Sequence, residues 1–126
     1  MKTLTYRDAA RELLSKAFVE LEAGDTRQAS EKGWGAAAQM VKAVAESRGW
    51  RHNSHVLLLK TINLIACEIG DQRVKTLFGM AGYLHQNFYE NRADEEFVTQ
   101  GLQDVRDLLD RLNPLVDDDF SRDREG

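Results

Sequence analysis

Three histidines (His52, His55 and His85) and two arginines (Arg48 and Arg51) are the side chains in this sequence best suited to acid–base or phosphate chemistry. Imidazole exchanges a proton near neutral pH, and guanidinium neutralises phosphate oxygens. Spacing brings two of the histidines together. Gly70-Asp71 reads as a turn between two helices, and His55 and His85 each stand 15 positions from Gly70. At ~1.5 Å per residue both reach the same height on adjacent antiparallel helices. His55 shares a stripe with Leu58, Leu59 and Ile62, and His85 with Phe78, Ala81 and Phe88, so both face the bundle seam. Arg48, Trp50, Arg51 and His52 are expected at that same end, with Asn87 and Tyr89 just beyond His85. A helix start at Asn53 or Ser54 would add unpaired backbone N–H groups, a cradle for an anion. Two readings stand side by side: histidines satisfied at the edge of the core, or a phosphate- or RNA-facing site. No metal site is expected, because His52-x-x-His55 lacks the further ligands a metal needs.

The elements that must hold these residues are helices. The single proline, Pro114, follows the last periodic segment, and apolar residues recur at helical spacing before it. Five helices are predicted: about Thr5–Glu22, Thr26–Arg48, Ser54–Ile69, a fourth through Val74–Phe88, and a fifth from near Asp94 to Leu112. Gly24-Asp25, Gly49 and Gly70-Asp71 punctuate them in the roles of C-terminal glycine and N-cap acid. Short connections favour antiparallel neighbours, so the expected architecture is an all-α, up-and-down antiparallel bundle over residues 1–114. Residues 115–126, with Asp117-Asp118-Asp119, read as an acidic, disordered tail. Gly33 and Gly35 stand about as far above the first turn as Gly79 and Gly82 above Gly70. A helix-interior glycine costs roughly 1 kcal/mol relative to alanine, so close helix approach at this level is expected, with Trp34 beside it. Lys32 and Lys42 face partly outward, where they are either solvated or in reach of phosphate.

Composition narrows the class. The chain has 126 residues, with 17 Lys+Arg against 21 Asp+Glu, one domain's length without the basic excess of a duplex-DNA binder. One cysteine, Cys67, excludes an internal disulfide, and a cytoplasmic, reducing location is expected. Apolar runs such as Val56–Leu59 fall far short of the ~20 residues of a membrane span. Residues 117–126 carry five of the acids and two of the bases, and no acid lies between Glu46 and Glu68. The body is therefore near neutral with a locally basic stretch. No P-loop, dinucleotide fingerprint or nucleophile elbow occurs, and no cofactor is expected.

The segments LEAGD (Leu21–Asp25), ASEKGWGAAA (Ala29–Ala38), VKAVAE (Val41–Glu46), Arg48-Gly-Trp50 and LHQNFYE (Leu84–Glu90) resemble the archaeal PaREP group, placed within the HEPN superfamily. The resemblance spans about residues 5–112. It implies a four-to-five-helix bundle, often a homodimer, among proteins that include toxin ribonucleases and partners of minimal nucleotidyltransferases. Active HEPN ribonucleases place an Arg and then a His with four to six residues between them and work without metal: His moves protons at the ribose or leaving oxygen, and Arg holds the phosphorane charge. Here His85 takes the place of that His, but Phe78, Gly79 and Met80 stand where Arg would. Arg48-x6-His55 meets the spacing only across a loop.

The leading expectation is a HEPN-like domain binding RNA, a nucleotide or a nucleotidyltransferase partner, as in a toxin–antitoxin pair. Its ligand-contacting residues would be Lys32, Trp34, Trp50, Arg51, His52, Asn87 and Tyr89. The alternatives are a metal-independent endoribonuclease using Arg48, His55 and His85, and a dimeric scaffold without chemistry.

Overall fold

The computed structural model describes residues 2–90 and 94–116, with side chains from Thr5 onward. Residues 117–126, the greater part of the expected acidic tail, lie outside the described residues. The helices are α1 (Lys2–Glu22), α2 (Thr26–Arg48), α3 (His55–Ile69), α4 (Arg73–Glu90) and α5 (Glu95–Leu112), followed by a 3₁₀ turn at Asn113–Leu115. The described residues form an all-α bundle of five helices without a strand. Three helices start where a side-chain oxygen accepts from the first turn: Asp25 from the Gln28 N–H (3.0 Å), Ser54 from Leu57 (3.2 Å) and Asp94 from Phe97 (2.8 Å). At the ends of α2 and α3, Gly49 and Gly70 adopt left-handed backbone (φ 72° and 64°), where a Cβ would be strained.

Side-chain pairs fix the direction of each helix. Lys32 on α2 pairs with Glu20 on α1 (2.7 Å), and Tyr6 meets His52 edge-on, so α1 and α2 are antiparallel. Asn87 and His85 on α4 reach Ser30 and Glu31 on α2, in descending order against ascending, so these too are antiparallel. Between α2 and α3 the order is different. Trp34 meets His55 at the start of α3, and Arg48 pairs with Glu68 near its end. The two helices therefore run in the same sense, which corrects the antiparallel arrangement expected from a short connection. Residues 49–54 are non-helical and carry the chain back along α2. Six extended residues span ~20 Å, and the 14 positions from Arg48 to Trp34 cover ~21 Å of helix, so the return is geometrically sufficient.

Helix α2 is the centre of the bundle. Ala29, Ala36, Ala37, Ala43 and Ala45 are fully buried on it, and side chains this small let neighbours approach from several sides. Phe78, Leu77 and Leu84 of α4 and Leu102, Leu108 and Leu112 of α5 fill the space around it. Packing continues past the expected boundary at residue 114, since Val116 is buried and the Leu115 carbonyl accepts from Arg48 Nη1 (2.9 Å). Helix α3 buries one stripe only, Leu58, Thr61, Ile62, Ile65 and Ala66, while Val56 stays 63% exposed.

The glycines divide into two kinds. A Cβ on Gly33 would lie 2.5 Å from Leu102 Cδ2, and one on Gly101 would lie 2.7 Å from Leu84 Cδ2. Gly33 meets the expectation of close approach, as does Gly35 beside Leu13, and Gly101 adds a tight position that the sequence did not single out. Gly79 and Gly82 do not: a Cβ on either would meet nothing. They lie on the outer side of α4, so nothing within the protomer explains them.

Two ion pairs fasten the end of the bundle where α2, α3 and α5 finish. Arg48 grips both Glu68 oxygens, and Arg111 Nη1 reaches Asp71 Oδ2. The Arg48 hydrogen bond holds the Glu68 carboxyl below its ordinary value near 4.5, and Arg111 does the same for Asp71 relative to 3.8. A carboxyl depressed in the folded state stabilises above its unfolded pKa, and that contribution fades as pH falls through the folded one. Thermal melts of wild type and Glu68→Gln should therefore differ at pH 7 and draw together as pH falls below the ordinary carboxylate range. A difference that persists unchanged at pH 3 would remove the pair from the acid response.

Candidate functional site

The sequence places Arg27, Glu31 and Trp34 at i, i+4 and i+7 on α2, so they form one stripe of that helix, turned toward α4. Trp34 is the hub. Its indole lies 5.5 Å from the His55 ring, 5.3 Å from His85 and 5.5 Å from Phe78, between centroids. The tilts to both imidazoles are 33°, between parallel stacking and edge contact. His55 and His85, from α3 and α4, are thus held at one height by a shared partner on α2.

Glu31 orients His85. A carboxylate can only accept, so His85 Nδ1–H donates to Glu31 Oε2 at 3.0 Å, which turns Nε2 away from the carboxylate. Tyr89, 68% exposed, stands edge-on to His85 at 5.3 Å and forms the outer wall. Next to it, Arg27 lies over the Phe88 ring (4.9 Å) and donates from Nε to the Phe88 carbonyl. That contact uses one N–H of the guanidinium and leaves its terminal amino groups for another acceptor. His55 is the first residue of α3, where backbone N–H groups lack intrahelical partners. The site therefore combines a planar apolar surface, two imidazoles, a cation and donor groups at a helix start.

The other expected residues separate from this cluster. Arg48 lies ~21 Å along α2 from Trp34, bound to Glu68 and the Leu115 carbonyl. His52 Nε2 pairs with Glu46 (2.9 Å) and packs against Tyr6. With the exposed Arg51 and half-buried Trp50, it lines a shallow hollow beside Gly49. The gathering of all three histidines and Arg48 at one end is therefore corrected: the extended return of residues 49–54 parts His52 from His55. Lys32 is engaged by Glu20, and Asn87 is buried with Nδ2 donating to Ser30 Oγ (2.8 Å). Both serve packing between helices. Two residues of the cluster escaped sequence reasoning, Glu31 and Arg27. Their signal was the α2 stripe ending at Trp34, which becomes readable once Trp34 is known to face His85.

Among the described residues no group of three His, Cys, Asp or Glu is arranged to hold a metal ion. No described helix is long and apolar enough to cross a membrane. In fold the chain is similar to a protein from Sulfolobus solfataricus of known crystal structure, with a TM-score of 0.77. The two are 23% identical, and the likeness covers 85% of this chain and 95% of the other. No protein of curated function matches the sequence. Residues 5–109 match the family model described as the archaeal PaREP1/PaREP8 family, and the chain belongs to that family.

Proposed function

We propose that the protein is a HEPN-type helical domain that binds single-stranded RNA at the Trp34–His55–His85 cluster. The observation that carries this reading is the pair of imidazoles packed at a tilt against one indole, with Arg27 nearby. Single-stranded nucleic acid is held where bases stack on aromatic faces and a cation meets the backbone, a binding mode tolerant of sequence. The near-neutral body suits a few local phosphate contacts better than a long duplex track. Titrating short oligouridylate into the full chain and following binding by fluorescence anisotropy tests this. His55→Ala and Arg27→Gln, both at exposed positions, should each weaken binding several-fold, with a shallower salt dependence for Arg27→Gln. Binding indifferent to both would sink the assignment.

A second reading, metal-independent endoribonuclease, is favoured by the Glu31–His85 pair. A carboxylate that fixes one imidazole tautomer leaves Nε2 to take a proton from a ribose hydroxyl, and His55 could protonate the leaving oxygen. Arg27 rather than Arg48 would supply the cation for the phosphorane. Cleavage of total RNA in EDTA that disappears in both His85→Ala and His55→Ala would select this reading; intact RNA selects binding alone.

Self-association, implied by the family resemblance, is best served by the outer sides of α3 and α4. Val56, Leu64 and Tyr83 are exposed there, and no charged residue occurs between Lys75 and Glu90. The α4 side of this face carries no charge, and on α3 Lys60 stands between Val56 and Leu64, so a second copy can meet the face across a two-fold axis with little repulsion. Sedimentation should show a dimer for wild type and a monomer for Tyr83→Glu.

A further inference from the structure

A groove between α1 and α5, floored by α2, takes no part in the cluster above. It is a half-open hollow of about 360 Å³ rimmed by Arg11, Ser15, Arg106, Asp110 and Asn113, with Phe18 and the buried Leu14, Met40 and Leu109 beneath. Small-molecule sites typically hold roughly 300–1,000 Å³, so the groove has room for a small ligand and too little for a docked helix.

Its lining carries two of the arginines that, like Arg27 and Arg51, form no ion pair with a described carboxylate. Arg48, Arg73 and Arg111 elsewhere each pair with a carboxylate. The two arginines of the groove do not, among the described residues. Arg106 lies over the Phe18 ring at 4.6 Å, and Arg11 Nη2 donates to the neutral Asn113 Oδ1 at 2.8 Å. Both contacts preserve the full positive charge while holding the guanidinium in place. Asp110 is the one carboxylate on the lining, and it forms no ion pair with a described residue. Two cations against one anion leave a single positive charge beside an apolar floor.

We propose that this groove binds a small amphiphilic monocarboxylate. Its apolar body would lie against Phe18, Met40 and Leu109, and its carboxylate would meet Arg11 and Arg106. A carboxylate suits the planar donor fork of guanidinium, and one negative charge matches the surplus of the lining. A dianionic head would exceed that surplus and face Asp110 as well.

Calorimetric titration of the full chain with decanoate, below its micelle concentration, tests the assignment. Wild type should bind one decanoate per chain, and the Arg11→Gln/Arg106→Gln double variant should bind at least tenfold more weakly. Both positions are exposed, so the variant's melting temperature should stay near that of wild type and show that the fold persists. Titrations with 1-decanol and decyl phosphate complete the experiment, and each should bind more weakly than decanoate. Absence of decanoate binding, equal binding in the double variant, equal binding of decanol, or tighter binding of decyl phosphate would each overturn the proposal.

Discussion

Leu84→Ala is expected to lower the melting temperature by on the order of 10 °C or more, and Gly101→Ala is expected to restore part of that loss. Leu84 is fully buried where α4 meets both α2 and α5. Its branch carbons lie 3.1 Å from the Cβ position of Gly33 and 2.7–3.3 Å from that of Gly101. Removing them leaves a cavity walled by two helices that cannot collapse freely, and substitutions of this kind cost about 2–5 kcal/mol. For a domain of this size each kcal/mol moves the melting temperature by roughly 4 °C. The glycine makes the prediction sharper. In wild type, a methyl on Gly101 forces Leu84 aside, and overpacking of about 1–3 kcal/mol outweighs the ~1 kcal/mol gained in helix propensity. In Leu84→Ala the same methyl enters vacated space and both terms favour it. Gly101→Ala should therefore change sign between the two backgrounds, which a double-mutant cycle reads directly. Additive effects would show that the three helices do not share this packing point.

The second large effect concerns Trp34. Trp34→Leu should weaken oligouridylate binding by on the order of 10–100-fold, since stacking on one aromatic face is worth about 1–3 kcal/mol per base and both imidazoles lose their support. Trp50→Leu, on the far side of the return segment, should leave binding within about twofold. Leucine keeps most of the apolar volume against Phe78, so the fold should survive, as circular dichroism would show. The fluorescence of the two tryptophans gives an independent reading: RNA should quench Trp50→Leu, where Trp34 remains, and leave the emission of Trp34→Leu unchanged. If Trp50→Leu is the variant that fails to bind, the site lies in the Glu46–Asn53 hollow instead.

The sequence was most informative where a single connection between two regular helices separated the residues of interest. His55 and His85 were matched by counting outward from Gly70 along two uninterrupted helices, and they meet at Trp34. The five helices and their caps followed from periodicity and from Asp25, Ser54 and Asp94. Arg48 and His52 were misplaced because their position depends on the path of residues 49–54. Loop length alone allows that path to turn back or to run on, and here it runs along α2 before α3 begins. Gly79 and Gly82 misled for a related reason. Glycine at helical spacing signals a close neighbour only on the inward side, and rotation of α4 by a few residues decides which side that is. Glu31 looked like one acid among many until the partner opposite it was known.

The same return path divides the candidate site between elements of unequal anchorage. Trp34, Glu31 and His85 stand partly exposed on α2 and α4, two helices whose inward faces are fully buried. His55 stands on α3, which is fixed by one buried stripe and, at its far end, by Arg48 and Glu68. Local opening free energies follow such differences in burial, so α3 can detach as a cooperative unit while the other four helices remain folded. Such an opening removes one imidazole and bares a face of the indole in a single step. On this ground weakening the Arg48–Glu68 clasp, far from either ring, should speed hydrogen exchange of the α3 amides ahead of those of α2 and α4.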